Sequence, residues 1–160
     1  MTGYDRISLT IELQAFYAEY CACLDEGRFE RWPKFFSADC IYKLISRENF
    51  DAGRPLATLS FESRGMLEDR VFGITQTLFH APYYQRHILS SVLIRSVDGN
   101  TIRSEASYLV VRTKRDEPSE VFNTGRYLDV VVREDGAWQF RERLCVFDSD
   151  LILTSIIYPI

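Results

Sequence analysis

The chain has two histidines, His80 and His87, on either side of an Ala81-Pro82 step. With Asp39 and Tyr42 they form a candidate acid–base set. Cofactor-free isomerases and dehydratases use such groups inside a closed cavity, where burial tunes proton affinities. Each residue also has a plainer reading, as a hydrogen-bonding side chain at the end of an element. A second group is denser. Between Asn123 and Asp150 the sequence NTGRYLDVVVREDGAWQFRERLCVFDSD sets Arg126, Asp129, Arg141, Glu142, Arg143 and Asp148 into apolar strands. These charges could be catalytic, or partners across a sheet. The planar guanidinium fork also suits them to another protein's carboxylates.

Neither group supplies an iron site. A Rieske cluster takes two Cys and two His, as Cys-x-His and Cys-x-x-His pairs that do not occur here. A mononuclear iron site takes two His and a carboxylate on one face, and His80 and His87 are too far apart for a local motif. Cys21 and Cys23 fall on different faces of a helix. With Cys40 and Cys145 they read as buried, inert thiols. Gly-x-Gly-x-x-Gly, Gly-x-Ser-x-Gly and Cys-x-x-Cys are absent. No catalytic, cofactor-binding or metal residue is therefore assigned to the chain.

The elements that position these residues follow from periodicity. SLTIELQAFYAEYCACLDEG carries Leu9, Leu13, Phe16, Tyr17, Tyr20 and Leu24 at helical spacing, with Ser8 as N-cap and Gly27 as stop. FERWPKFF is a short helix turning Trp32, Phe35 and Phe36 inward, and DCIYKLIS is a strand. Residues 47–62 read as loop or irregular edge. A second long helix runs from Ser63 to His80, with Met66, Leu67, Arg70, Val71 and Ile74 on one side. RHILSSVLIRS, TIRSEASYLVVRT, VFNTGRYLDVVVR and AWQFRERLCVFDSD then follow as strands, and Gly125 suggests a bulge. The order is α-α-β-α-β-β-β-β in one domain, 1–160. It predicts an α+β cone, with a curled antiparallel sheet packed against the N-terminal helices.

Charge sets a register for the last hairpin. A two-residue loop at Asp135-Gly136 would place Asp129 opposite Glu142, and like charges so placed destabilise a strand pair. A three-residue loop instead sets Asp129 against Arg141 and Tyr127 against Arg143, which is the predicted register.

Composition narrows the partners. Nineteen basic residues against 23 acidic, without a basic run, argue against nucleic acid. No apolar stretch is long enough to span a bilayer and no signal peptide is visible, so a cytoplasmic protein is expected. LILTSIIYPI would expose a large apolar patch if it frayed. It is expected to extend the last strand over the sheet or a neighbouring subunit. The candidate interface is therefore Arg126, Arg141, Arg143, Leu151, Leu153, Ile156, Ile157 and Tyr158.

The segments SRGMLEDRVFGI, RHILSSVLI, DGNTIRSEASYLVVRT and GRYLDVVVREDGAWQFRERLCVFD resemble the small (beta) subunit of aromatic-ring-hydroxylating dioxygenases over essentially the whole chain. LEDR, GRYLDVVV and RERLCVFD are the most specific pieces. CLDEGRFERWPKFFSADC is similar to the wider nuclear-transport-factor-like, cystatin-like cone folds, which include isomerases, dehydratases and binding modules. The resemblance implies a non-catalytic, stabilising subunit. Its large (alpha) partner would carry a 2Fe-2S Rieske cluster and mononuclear Fe(II), in an assembly of three large and three small chains. A reductase, and often a ferredoxin, would feed it electrons. The compact length resembles small subunits of enzymes for substituted benzoates, and salicylate or a related hydroxybenzoate is the expected substrate class.

Overall fold

The computed structural model describes residues 3–149 and 155–160. The first helix, α1 (Gly3–Asp25), starts ahead of Ser8, which is an interior position and not the cap. Its stripe is as expected, with Leu13, Phe16, Tyr17, Tyr20 and Leu24 buried. Gly27 stops the helix at φ +67°. Its N–H reaches Leu24 O at 3.0 Å, and that of Arg28 reaches Cys23 O at 2.9 Å. These paired bonds satisfy carbonyls that a helix end otherwise leaves open.

A 3-10 turn (Phe29–Phe35) buries Trp32 and leads into β1 (Phe36–Ser46). Residues 47–62 are more ordered than the loop expected of them. They hold the one-turn helix α2 (Arg47–Asp51), capped by Ser46 Oγ accepting from Asn49 N–H at 3.3 Å, and the edge strand β2 (Leu59–Phe61). Ser63 caps α3 (Arg64–Phe72), which continues as a π-helical turn, Gly73–Thr77. Leu67, Val71 and Ile74 face inward, whereas Met66 lies on the exposed side.

Five strands follow: β3 (Tyr83–Leu89), β4 (Leu93–Asp98), β5 (Thr101–Lys114), β6 (Glu120–Glu134) and β7 (Ala137–Phe147). The strand expected over RHILSSVLIRS is broken. β3 pairs with Tyr108–Lys114 and β4 with Thr101–Glu105, so two short strands follow one curling neighbour. The sheet order is β2-β1-β7-β6-β5-β3, with β4 also on β5. β1 and β7 run parallel, so the curled sheet is mixed where an antiparallel one was expected. The α+β class holds, with α1 and the 3-10 turn packed on the sheet's aromatic face: Tyr20 meets Phe140 edge-on at 5.4 Å and Trp32 meets Tyr42 at 5.3 Å.

The last hairpin corrects the predicted register. Its turn is two residues, Asp135 (φ +50°) and Gly136 (φ +82°), with Glu134 opposite Ala137. Positive φ at both positions matches the twist of the flanking strands. Val131 pairs with Phe140 and Val130 with Glu142, so Arg141 is an extra residue on β7. The shift sets Asp129 opposite Arg143 and Tyr127 opposite Cys145. A bulge, not a longer loop, keeps Asp129 away from Glu142.

Gly125 is not a bulge either; the β5–β6 bulge falls at Phe122, between the pairs Val110–Asn123 and Val111–Val121. At Gly125 the backbones crowd. A Cβ there would lie 2.1 Å from Val146 O and 2.8 Å from Phe147 Cα.

Candidate functional site

The inward faces of α1, β6 and β7 meet at Arg143. Its Nε donates to Asp129 Oδ1 at 3.1 Å and its Nη2 to Asp129 Oδ2 at 2.8 Å, with both side chains 0% exposed. Tyr17 Oη also donates to Asp129 Oδ2 and lies 3.0 Å from Ser104 Oγ. Four rings surround the guanidinium: Phe140, Tyr127, Tyr20 and Tyr17, with centroids 3.8, 4.0, 4.2 and 4.8 Å away. Burial raises the Asp129 carboxyl above its usual range, with Arg143 and the hydrogen bonds of Arg143 and Tyr17 pulling the other way. For Arg143, burial disfavours the charge, but Asp129's field outweighs it and holds the guanidinium well above its ordinary value. This is a clamp inside the sheet. Arg143 is buried within its own chain, so it drops out of the candidate interface.

Residues 155–160 close the cone beside that clamp. Ile156, Pro159 and Ile160 are buried, Ile160 completely. Tyr42 Oη accepts from Ile160 N–H at 3.0 Å and donates to Ile160 O at 3.1 Å, and Tyr20 Oη donates to the same oxygen at 3.0 Å. Trp32 Nε1 donates to Tyr20 Oη at 3.1 Å, so one chain of bonds joins the 3-10 turn to the segment. Ile156, Ile157 and Tyr158 were expected to cover the sheet or a neighbour. Ile156 packs into the core of its own cone, and Ile157 and Tyr158 lie half-buried against that core. Leu151 and Leu153 lie outside the described residues.

The candidate acid–base set does not converge. Asp39 is exposed, Tyr42 serves Ile160, and His80 Nε2 shares a 2.9 Å hydrogen bond with Tyr158 Oη. His87 has a partner that sequence reasoning missed. Asp25 Oδ1 lies 2.6 Å from His87 Nδ1, and both Asp25 oxygens accept the His87 N–H, at 3.1 and 3.0 Å. His87 Nε2 is buried with no hydrogen-bond partner among the described residues. One signal was available: an acid in a helix's last turn faces the negative end of the dipole and needs a compensating donor.

Arg126 and Arg141 remain on the surface. Arg126 Nη1 lies 3.9 Å from Glu105 Oε1, and Arg141 Nη2 lies 3.5 Å from Glu134 Oε1, with the arginines 39% and 47% exposed. Contacts this long and this wet hold little energy, which leaves both forks open to other carboxylates. All four cysteines are free and buried. Burial pushes Cys21 and Cys145 up to about 12 and Cys40 up to about 11. Among the described residues, no three His, Cys, Asp or Glu side chains gather as a metal site, and no helix is long and apolar enough to cross a membrane.

Comparison with known proteins places this geometry. A model of the SnoaL-like domain matches residues 5–144. The small subunit of anthranilate 1,2-dioxygenase from Burkholderia cepacia is 30% identical over 149 residues, covering 93% of this chain and 92% of the relative. The beta 2 subunit of the terminal oxygenase component of terephthalate 1,2-dioxygenase from Comamonas is 31% identical over 150 residues, covering 94% and 97%. A crystal structure described as the beta subunit of an aromatic-ring-hydroxylating dioxygenase from Novosphingobium aromaticivorans superposes with a TM-score of 0.88. It is 33% identical and covers 96% of this chain and 97% of that one.

Proposed function

From the premise that this chain belongs to the SnoaL-like domain family and to the small (beta) subunits of aromatic-ring-hydroxylating dioxygenases, we propose that it is the non-catalytic, stabilising subunit of a multicomponent oxygenase. The large (alpha) partner carries the 2Fe-2S Rieske cluster and the mononuclear Fe(II). Three copies of each chain make the assembly, in the cytoplasm, with a reductase and a ferredoxin delivering electrons. The ring oxidised is a carboxylated one, salicylate or another substituted benzoate. The anthranilate and terephthalate in the relatives' names support that class.

The observation that carries the proposal is the filled cone. Where an enzyme of this shape would keep a cavity for substrate, Ile160 is hydrogen-bonded to Tyr20, Tyr42 and Cys145, and Ile156 joins the same buried cluster. The available donors also do not fit an iron centre, since His80 is engaged by Tyr158 and His87 by Asp25, and the thiols are dispersed. The iron chemistry therefore falls to the partner. Co-expression with the adjacent large-subunit reading frame tests this. The two chains are expected to purify together, with iron and ring-oxidising activity dependent on both. Stoichiometric iron in the isolated chain, or turnover by it alone, would refute the proposal.

One observation favours a second reading. The buried Asp25–His87 pair, with Nε2 unpartnered, is an acid–base arrangement suited to a stand-alone isomerase or dehydratase. Such an enzyme would turn over a small aromatic substrate without iron and lose that activity in His87→Gln. Absence of any turnover by the isolated chain leaves the subunit reading.

A further inference from the structure

The way residues 156–160 are held is unlike strand pairing. The described part of the segment adds nothing to the sheet order, and β7 ends at Phe147. Side chains from four elements instead reach its backbone. Arg70 Nη2 of α3 donates to Ile156 O at 3.0 Å and Ile157 O at 2.8 Å. On β3, Tyr83 Oη accepts from Tyr158 N–H at 3.3 Å and Gln85 Nε2 donates to Pro159 O at 3.1 Å. Tyr20 of α1 and Tyr42 of β1 hold Ile160. Every residue from 156 to 160 thus has a main-chain atom bonded by a side chain.

The side chains have their own seats. The Tyr158 ring lies between Phe29 and Tyr83, with centroids 4.7 and 4.3 Å away, and its hydroxyl meets His80. Ile160 is sealed beside Cys145. Donors aimed at successive carbonyls, an aromatic slot with a polar end and a closed apolar pocket are how a protein binds an extended peptide.

We infer that the cone is a peptide-binding site and that residues 156–160 are its ligand, bound in cis. The ligand class is a short apolar peptide carrying a phenol two positions before its innermost aliphatic residue. Covalent linkage supplies this ligand at high effective concentration, so the same segment should also bind when supplied in trans.

The test keeps the full chain. A protease site replaces residues 150–154, and the purified protein is cut there. The cut segment is expected to stay bound through desalting and to exchange with a labelled Ser-Ile-Ile-Tyr-Pro-Ile peptide, saturably. The reversed sequence should not compete. Arg70→Met and Gln85→Leu should each weaken the labelled peptide roughly threefold to tenfold, since each removes hydrogen bonds of ordinary strength. Should the body unfold on losing the segment, recovery on adding the peptide supports the site, and failure to recover overturns it. Release of the segment with no change in melting temperature overturns it too, as does equal binding of the reversed peptide. A dimer of the uncut chain that the peptide dissociates would show exchange between copies and overturn the assignment in cis.

Discussion

Arg143 and Asp129 face each other across β7 and β6 through two parallel N–H to carboxylate contacts, at 3.1 and 2.8 Å, with neither side chain exposed. Removing one partner leaves the other charge buried and unpaired, a loss of about 3–5 kcal/mol. A domain is stable by only about 5–15 kcal/mol, so Arg143→Met or Asp129→Leu alone should come close to unfolding the chain. The double replacement Arg143→Met with Asp129→Leu should cost much less than the two single losses combined. Urea unfolding of the four proteins decides this, and simple additivity would show that the residues are not coupled.

Gly125 carries no strained dihedral, so its requirement is purely spatial. Gly125→Ala would drive a methyl group into Val146 O and Phe147 Cα, both main-chain atoms that cannot swing aside. Overpacking of this kind costs about 2–3 kcal/mol. A denaturation midpoint unchanged from the wild type would mean that β6 and β7 can separate at this point without penalty.

The buried thiols predict alkaline weakening. Burial pushes Cys21 and Cys145 up to about 12 in the folded chain, above the roughly 8.5 of a free thiol. A group with a raised folded pKa adds stability that is intact below its unfolded pKa and is lost as pH climbs toward the folded one. The window is therefore about pH 8.5 to 12, and at pH 10 each of these two thiols should cost roughly 2 kcal/mol. Urea midpoints at pH 8 and pH 10 measure the fall, and Cys145→Ala should make it shallower.

The surface arginines predict a different phenotype. Arg126→Glu and Arg141→Glu should move the isolated chain's stability by less than about 1 kcal/mol, because their present ion pairs are long and exposed. In the complex with the large subunit, both reversals should weaken assembly, with the defect largest at low salt. Analytical ultracentrifugation at two ionic strengths reads this. Loss of folding in the isolated variant would instead assign the arginines to the sheet alone.

Much of the scaffold was legible because its causes are local. Helical spacing from Leu13 to Leu24, the Gly27 stop and the turn at Gly136 are written within a few residues of where they act. The charge argument at Asp129 was right in kind, since like charges are kept from facing each other, but its solution was a bulge at Arg141 that no residue type announces. The relationships that define the interior join residues far apart in sequence. Asp25 meets His87, Tyr17 meets Asp129, and Tyr42 meets Ile160. Spacing along a chain carries no record of such meetings, which depend on how tightly the sheet curls.

The parallel pairing of β1 with β7 has a consequence for biosynthesis. Residues 36–46 are made well before their neighbour, residues 137–147, which lies about a hundred residues further along the chain. The nascent chain must carry that apolar edge of β1 unpaired through this stretch of translation, because a contact of such long sequence separation cannot form sooner. The β1–β7 join therefore waits until β7 has been made, and slowing elongation should do little to hasten it.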